Sequence, residues 1–280
     1  LVMIEGRFDP LNALELIERE GVTTWSTVPT MIWRTCEHPR RHDFDTSRVT
    51  NVAFGGSPSA DELQRRIRET FPGVKATSNA YGLTETSSVA TVLTGVDADT
   101  RADSVGRPVP TVRLAIAGPD GEHLPTGATG EVLISGPILM AGYWNKPEAT
   151  AEAIPDGWFR TGDLATMDDE GYFTIVDRKK DMILRGGENV YPREVEELLY
   201  THPDVLEAAV VGMPDELLGE QVGAAVALRP GATVTPEEIV EWSKERIAAY
   251  KYPRRVEILG DLSMPPARLA YRFRQVFRKD

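Results

Sequence analysis

Strand-type and helix-type runs alternate along the first 81 residues, and no other feature limits the fold so tightly. Leu11, Leu14 and Ile17 recur at helical spacing over residues 10–20 and stop at Gly21, after which Val22 to Val28 is rich in β-formers. Val49 to Phe54 is a second apolar run, closed by Gly55-Gly56-Ser57-Pro58. Ser59 and Glu62 then form a capping box, opening a helix that carries Leu63 and Ile67 and ends at Pro72-Gly73. Lys75 to Tyr81 returns to an extended segment. Parallel strands need a crossover, normally a helix, so this alternation predicts an α/β layer with a parallel, doubly wound sheet. Ligands of such sheets bind where strands end and loops begin. Gly55-Gly56-Ser57 and Tyr81 to Glu85 both fall at such ends.

From Val105 the texture changes to short strands and turns. Val112 to Ala117, the turn Gly118-Pro119-Asp120-Gly121, Gly130 to Ser135 and Gly171 to Val176 predict a β-barrel-like subdomain over 105–176. After Asp177 a third texture begins. Pro192 opens a helix with Val195, Leu198 and Leu199 on one face, Leu206 to Val211 and Val222 to Leu228 are strands, and Thr235-Pro236-Glu237-Glu238 is a capped helix start. That pattern predicts a small α+β domain. The expected domains are therefore 1–178 and 179–280, with the polar stretch Asp177 to Asp181 exposed between them.

Composition narrows the function classes. Lys and Arg number 31 against 43 Asp and Glu, a net charge of −12, which disfavours nucleic acid and anionic lipid unless a local basic patch exists. Arg268, Arg272, Arg274, Arg278 and Lys279 form one such patch; with Tyr271, Phe273 and Phe277 among them, a short amphipathic helix with a solvated face is the expected reading. Cys36 is the single cysteine, so no internal disulfide can form and a reducing, cytosolic setting is expected. No apolar run approaches the roughly eighteen residues of a membrane span. His38, His42, His123 and His202 are scattered without zinc-ligand spacing, and neither Gly-x-Gly-x-x-Gly nor Gly-x-Ser-x-Gly occurs. The chain begins at Leu1 in mid-pattern, as a piece of a longer protein would.

Three segments carry the chemistry: Tyr81-Gly82-Leu83-Thr84-Glu85-Thr86; Thr161-Gly162-Asp163; and Asp177-Arg178-Lys179-Lys180-Asp181 running on to Gly186-Gly187-Glu188-Asn189. Gly142-Tyr143-Trp144-Asn145-Lys146-Pro147-Glu148-Ala149-Thr150 lies between the first two. In this order and at this spacing they resemble the AMP-forming adenylating enzymes, the acyl-CoA synthetase and luciferase superfamily. Gly186 to Pro192 is similar to the wording of fatty-acid and aryl-acid CoA ligases. The resemblance implies an acid–thiol ligase that uses ATP, Mg2+ and CoA, with a small carboxylic acid as its other partner, and a homodimer is allowed.

Such a site must hold a flat base, a ribose diol, a polyphosphate with Mg2+ and a carboxylate. Tyr81 offers a ring for adenine, and Gly55 and Gly56 let the backbone approach it. Thr84 brings a hydroxyl to the α-phosphate, Glu85 a hard oxygen for Mg2+, and Asp163 two acceptors for the ribose diol. The resemblance further implies nucleotide contacts for Ser57, Gly82, Ile175 and Arg178, a hinge at Lys180, and a Gly186-Gly187 loop that leaves room for a thin thiol arm. Plainer readings stand beside these: Tyr81-Gly82 as a strand end and turn, Thr84 and Glu85 as a helix N-cap region, Asp163 as a cap after Gly162, Gly186-Gly187 as a β-turn. Trp25, Met31, Ile32 and Trp33 fit an apolar acyl pocket or an ordinary core equally.

The resemblance runs to about Leu262 and corresponds to the later part of such an enzyme. The Gly/Ser/Thr-rich phosphate loop of the family is not in this sequence. Where the family has Leu-Pro-x-Thr-x-x-Gly-Lys, this chain has Leu262-Ser263-Met264-Pro265-Pro266-Ala267-Arg268-Leu269. Leu269 takes the lysine's place, and the planar fork of Arg268, one residue off, is a poor copy of an ammonium. The 280-residue chain alone is therefore expected to be inactive. The alternatives are a catalytically silent nucleotide- or acyl-CoA-binding module or gene fragment, or another adenylating enzyme of luciferase or peptide-synthetase type.

Overall fold

The computed structural model describes residues 1–55, 61–101 and 103–260. Helix α1 (Pro10–Glu20) starts where the Asp9 carboxylate accepts the Leu11 N–H at 3.0 Å and stops at Gly21, whose φ of 60° is left-handed. Strand β1 (Thr24–Thr27), α2 (Pro29–Cys36), β2 (Asn51–Gly55), α3 (Asp61–Thr70) and β3 (Ala76–Tyr81) follow. β1, β2 and β3 pair in parallel, as the alternation predicts. Beyond them β4 (Thr91–Thr94) and β5 (Arg107–Pro108), with the short α4 (Val96–Thr100) between, complete a sheet ordered β1-β2-β3-β4-β5, the last two antiparallel. The capping box at Ser59 lies outside the described residues.

Helices and strands bury one core around Ile17, Ile32, Val52, Phe54, Ile67 and Phe71. Ile32 is fully buried, and Trp25 and Trp33 pack on the same cluster, with the Trp25 ring centred 5.5 Å from Phe71. Ile32 is therefore core, while Trp25, Met31 and Trp33 are partly buried.

The second texture is antiparallel: β6 (Arg113–Ala117), β7 (Gly130–Ser135), β8 (Phe159–Met167) and β9 (Phe173–Arg178) form a four-stranded sheet in that order, with α5 (Pro147–Ala153) before β8. Val112, Ile116, Val132, Ile134, Ala165, Phe173 and Ile175 are its core, and Tyr81 and Leu83 pack against it. Among the described residues this sheet has β6 and β9 as its ends.

The third texture is the expected α+β layer. A hairpin of β10 (Ile183–Arg185) and β11 (Glu188–Val190) leads into α6 (Pro192–Tyr200) and the long hairpin of β12 (Val205–Asp215) and β13 (Gly219–Leu228). After α7 (Pro236–Lys244), β14 (Arg255–Ile258) pairs in parallel with β13. Val195 and Leu199 of α6 and Ile239 of α7 are buried with Ile183, Val222, Ala224 and Val226 of the sheet. The Thr235–Glu238 capping box of α7 forms as the sequence predicts, each side chain taking the other residue's N–H.

The chain divides into two compact units, Leu1–Ile175 and Val176–Asp280, the divide falling within β9. Among the described residues no helix is long and apolar enough to cross a membrane.

Candidate active site

Gly55 ends β2 opposite Ala80 of β3, and a Cβ at Gly55 would lie 2.6 Å from the Ala80 carbonyl oxygen. Glycine there allows the two strand ends to close up, and Tyr81 follows at once. Gly56 and Ser57 lie outside the described residues. After Tyr81 the chain folds back sharply: the Ala90 N–H donates to the Tyr81 carbonyl at 2.8 Å, and any Cβ on Gly82 would overlap the Ser88 carbonyl. Thr84–Thr86 form a single 3-10 turn. Thr86, not Thr84, closes it, its buried hydroxyl accepting the Leu83 N–H at 2.9 Å. Thr84 is left exposed.

Glu85 is held twice. Its carbonyl accepts the Met140 N–H at 2.8 Å, and its Oε1 accepts the Tyr143 hydroxyl at 3.0 Å. Tyr143 is in turn fixed by its own N–H donating to Thr150 Oγ1 at 2.9 Å, which accounts for the spacing of Gly142 to Thr150. Burial, with the Glu85 carboxylate beside it, pushes the Tyr143 phenol above its ordinary value. Tyr143 is a site residue that sequence reasoning missed, although its segment was in view.

Asp163 sits on β8, not on a helix cap. Glu131 pairs with Leu164 and Leu133 with Arg160, so Thr161, Gly162 and Asp163 stand opposite Val132 alone. This bulge needs a left-handed residue, and Gly162 has φ 72°. Side chains supply what the ladder lacks: Thr161 Oγ1 donates to the Val132 carbonyl at 2.8 Å and accepts the Asp163 N–H at 3.1 Å, and Glu131 Oε1 accepts the Gly162 N–H at 3.1 Å. Asp163, only 6 % exposed, accepts the Tyr81 hydroxyl on Oδ2 at 2.7 Å across 82 residues of sequence. Ile175 lies in the apolar cluster against which Tyr81 packs. The first unit thus gathers Gly55, Tyr81, Gly82, Thr84, Glu85, Asp163 and Ile175 around the ends of β2 and β3 and the β8 bulge.

The second unit carries the remaining candidates. Arg178 ends β9, and Lys179, Lys180 and Asp181 form an exposed turn. Asp177 just before them accepts the Arg178 N–H at 2.7 Å and the Arg193 N–H at 3.0 Å, capping α6, whose own Tyr191 supplies no side-chain cap. Burial pushes its carboxyl above the ordinary value. Gly186 and Gly187, with φ 59° and 88°, are the two-residue turn of the β10–β11 hairpin, and both are exposed. Among the described residues no group of three or more His, Cys, Asp or Glu could hold a metal; Glu85 offers a single carboxylate.

The Tyr81 ring, the buried Asp163 carboxylate one hydrogen bond away and the Glu85 carboxylate held by Tyr143 are therefore gathered on one unit. Residues 1–144 match the model of the AMP-binding enzymes and 194–266 that of their C-terminal domain, so the chain belongs to the AMP-binding enzyme family. It is 42% identical over 261 residues to a feruloyl-CoA synthase of Amycolatopsis, covering 93% of this chain and 52% of that protein. It is 38% identical over 272 residues to a medium/long-chain-fatty-acid–CoA ligase of Mycobacterium tuberculosis, covering 94% and 47%. In structure it resembles o-succinylbenzoate CoA synthetase of Bacillus subtilis in complex with its acyl-adenylate intermediate, with a TM-score of 0.82 and 32% identity over 98% of this chain and 54% of that one. The chain spans about half the length of the curated relatives it matches.

Proposed function

We propose that this chain is the later part of an acid–CoA ligase that activates a fatty or aryl acid. The carboxylate oxygen attacks the α-phosphorus of ATP and expels pyrophosphate; the CoA thiolate then attacks the acyl carbon, AMP leaves, and a thioester remains. ATP brings the leaving group and Mg2+ the neutralising charge. The chain's own residues bind and orient: Tyr81 stacks on adenine, Asp163 reads the ribose diol, Ile175 lines the nucleotide pocket, Thr84 donates to the α-phosphate, and Glu85, fixed by Tyr143, faces the cation. On the second unit Arg178 serves the ribose, Lys180 is the hinge between 1–178 and 179–280, and the side-chain-free turn at Gly186-Gly187 suits a thin thiol arm.

The feature that carries this reading is the 2.7 Å hydrogen bond from Tyr81 to Asp163, which joins the two nucleotide motifs on one unit. Relatives named for feruloyl and fatty acyl groups support the substrate class. A cytosolic setting accords with Cys36, whose thiol is buried and pushed up to about 11, away from disulfide chemistry. Calorimetry with a non-hydrolysable acyl-adenylate tests the site: Asp163→Ala should weaken binding on the order of ten-fold or more, as loss of a charged hydrogen-bonding partner does. Binding untouched by Asp163→Ala removes the ribose assignment.

A further inference from the structure

Glu131 lies on β7, a strand whose six residues are all buried, and is itself only 6 % exposed. An apolar side chain would serve a plain strand better there, because a carboxylate taken out of water costs free energy unless it is hydrogen-bonded. Its oxygens go to the β8 bulge. Oε1 accepts the Gly162 N–H at 3.1 Å, and Oε2 accepts from Arg160 at 3.4 Å. Gly162 immediately precedes Asp163, whose own N–H is already committed to Thr161 and whose Oδ2 is committed to Tyr81. A carboxylate accepting a backbone N–H makes a charge-assisted bond, about twice as strong as a neutral one. Here it holds a backbone turn that no ladder bond holds.

We propose that Glu131 is a positioning residue for Asp163: by fixing Gly162 it sets the bulge, and through the bulge it aims the carboxylate that reads the ribose of a bound adenylate. Glu131 does not touch the nucleotide. Tyr81 steadies the tip of Asp163 while Glu131 steadies its backbone, so the two supports act from opposite ends of one side chain. This rests on the ribose role given to Asp163 above.

The test compares a non-hydrolysable acyl-adenylate with its 2′,3′-dideoxy counterpart, by calorimetry on the 280-residue chain. The wild-type chain should prefer the diol form, and Asp163→Ala should abolish that preference. Glu131→Met, matched in size but without an acceptor, should lower the preference on the order of ten-fold while affinity for the dideoxy form barely changes. Glu131→Gln should recover most of it, since the amide oxygen can accept the Gly162 N–H. A merely structural role would weaken both ligands alike. A preference removed by Asp163→Ala but kept by Glu131→Met overturns the positioning role alone. A wild-type chain without any preference removes the ribose reading and this inference with it. Should Glu131→Met fail to fold, hydrogen exchange at the Gly162 amide of the wild-type chain decides: slow exchange supports the bond, and exchange at the rate of an exposed loop amide overturns it.

Discussion

Two glycines close together in the site show how differently a missing side chain can matter. Nothing lies within 4 Å of where a Cβ on Gly162 would stand, but its φ is 72°. Gly162→Ala should therefore cost only the left-handed backbone penalty of about 1–2 kcal/mol, read as a modestly lower melting temperature; an unchanged melt would mean that the bulge relaxes freely. Gly82 instead has the Ser88 carbonyl where its Cβ would go, a matter of space. At this scale much of the site was readable. Tyr81, Asp163 and Glu85 stand in segments whose wording points to nucleotide chemistry, and the structure ties Tyr81 to Asp163 directly. Tyr143 and Glu131 were not readable in their roles. Tyr143 meets Glu85 across 58 residues and Glu131 meets Gly162 across 31, and no local pattern announces a partner so far away. Glu131 also sits inside a run whose only visible signal is that of a strand.

Among the elements, the first three strands and α1 follow the periodicity of the sequence closely, because each is a short, regular run bounded by Gly or Pro. β8 was not legible as a strand: its bulge places three residues against one and breaks the period of two on which such a reading depends. α6 adds a feature with a pH signature. Glu196 accepts the Val210 N–H at 2.8 Å, tying helix to β12, and burial pushes its carboxyl up to about 7. Because the folded state holds this proton more tightly than the unfolded chain, the second unit is fully stabilised below the ordinary glutamate range. It loses that stability as pH rises through about 7. Denaturant unfolding at pH 5 and pH 8 should show the loss, smaller than the full shift implies because the side chain is partly exposed. Glu196→Gln should flatten it. A variant that keeps the wild-type pH dependence would assign the effect to another group.

For the molecule as a whole, the divide within β9 and the exposed turn at Lys179–Asp181 place three consecutive exposed basic residues, Arg178, Lys179 and Lys180, next to a change of unit. Trypsin should cut first after Arg178, Lys179 or Lys180 and leave two fragments that resist further digestion. Early cleavage after Arg193 of α6 or Arg255 of β14 would show that the second unit is not compact by itself. That three textures succeed one another was plain from the sequence. The pairing of strands within each was set by register and turn geometry, which composition does not record. Cys36 lends the chain one more property. Fully buried and with its thiol pushed up to about 11, it carries only about one thiolate in ten thousand molecules at neutral pH. It is therefore nearly silent toward maleimides and iodoacetamides, so a cysteine introduced on each unit can take a fluorophore without first removing the native one. Energy transfer between two such dyes would report directly, in solution and in real time, whether the units change their separation.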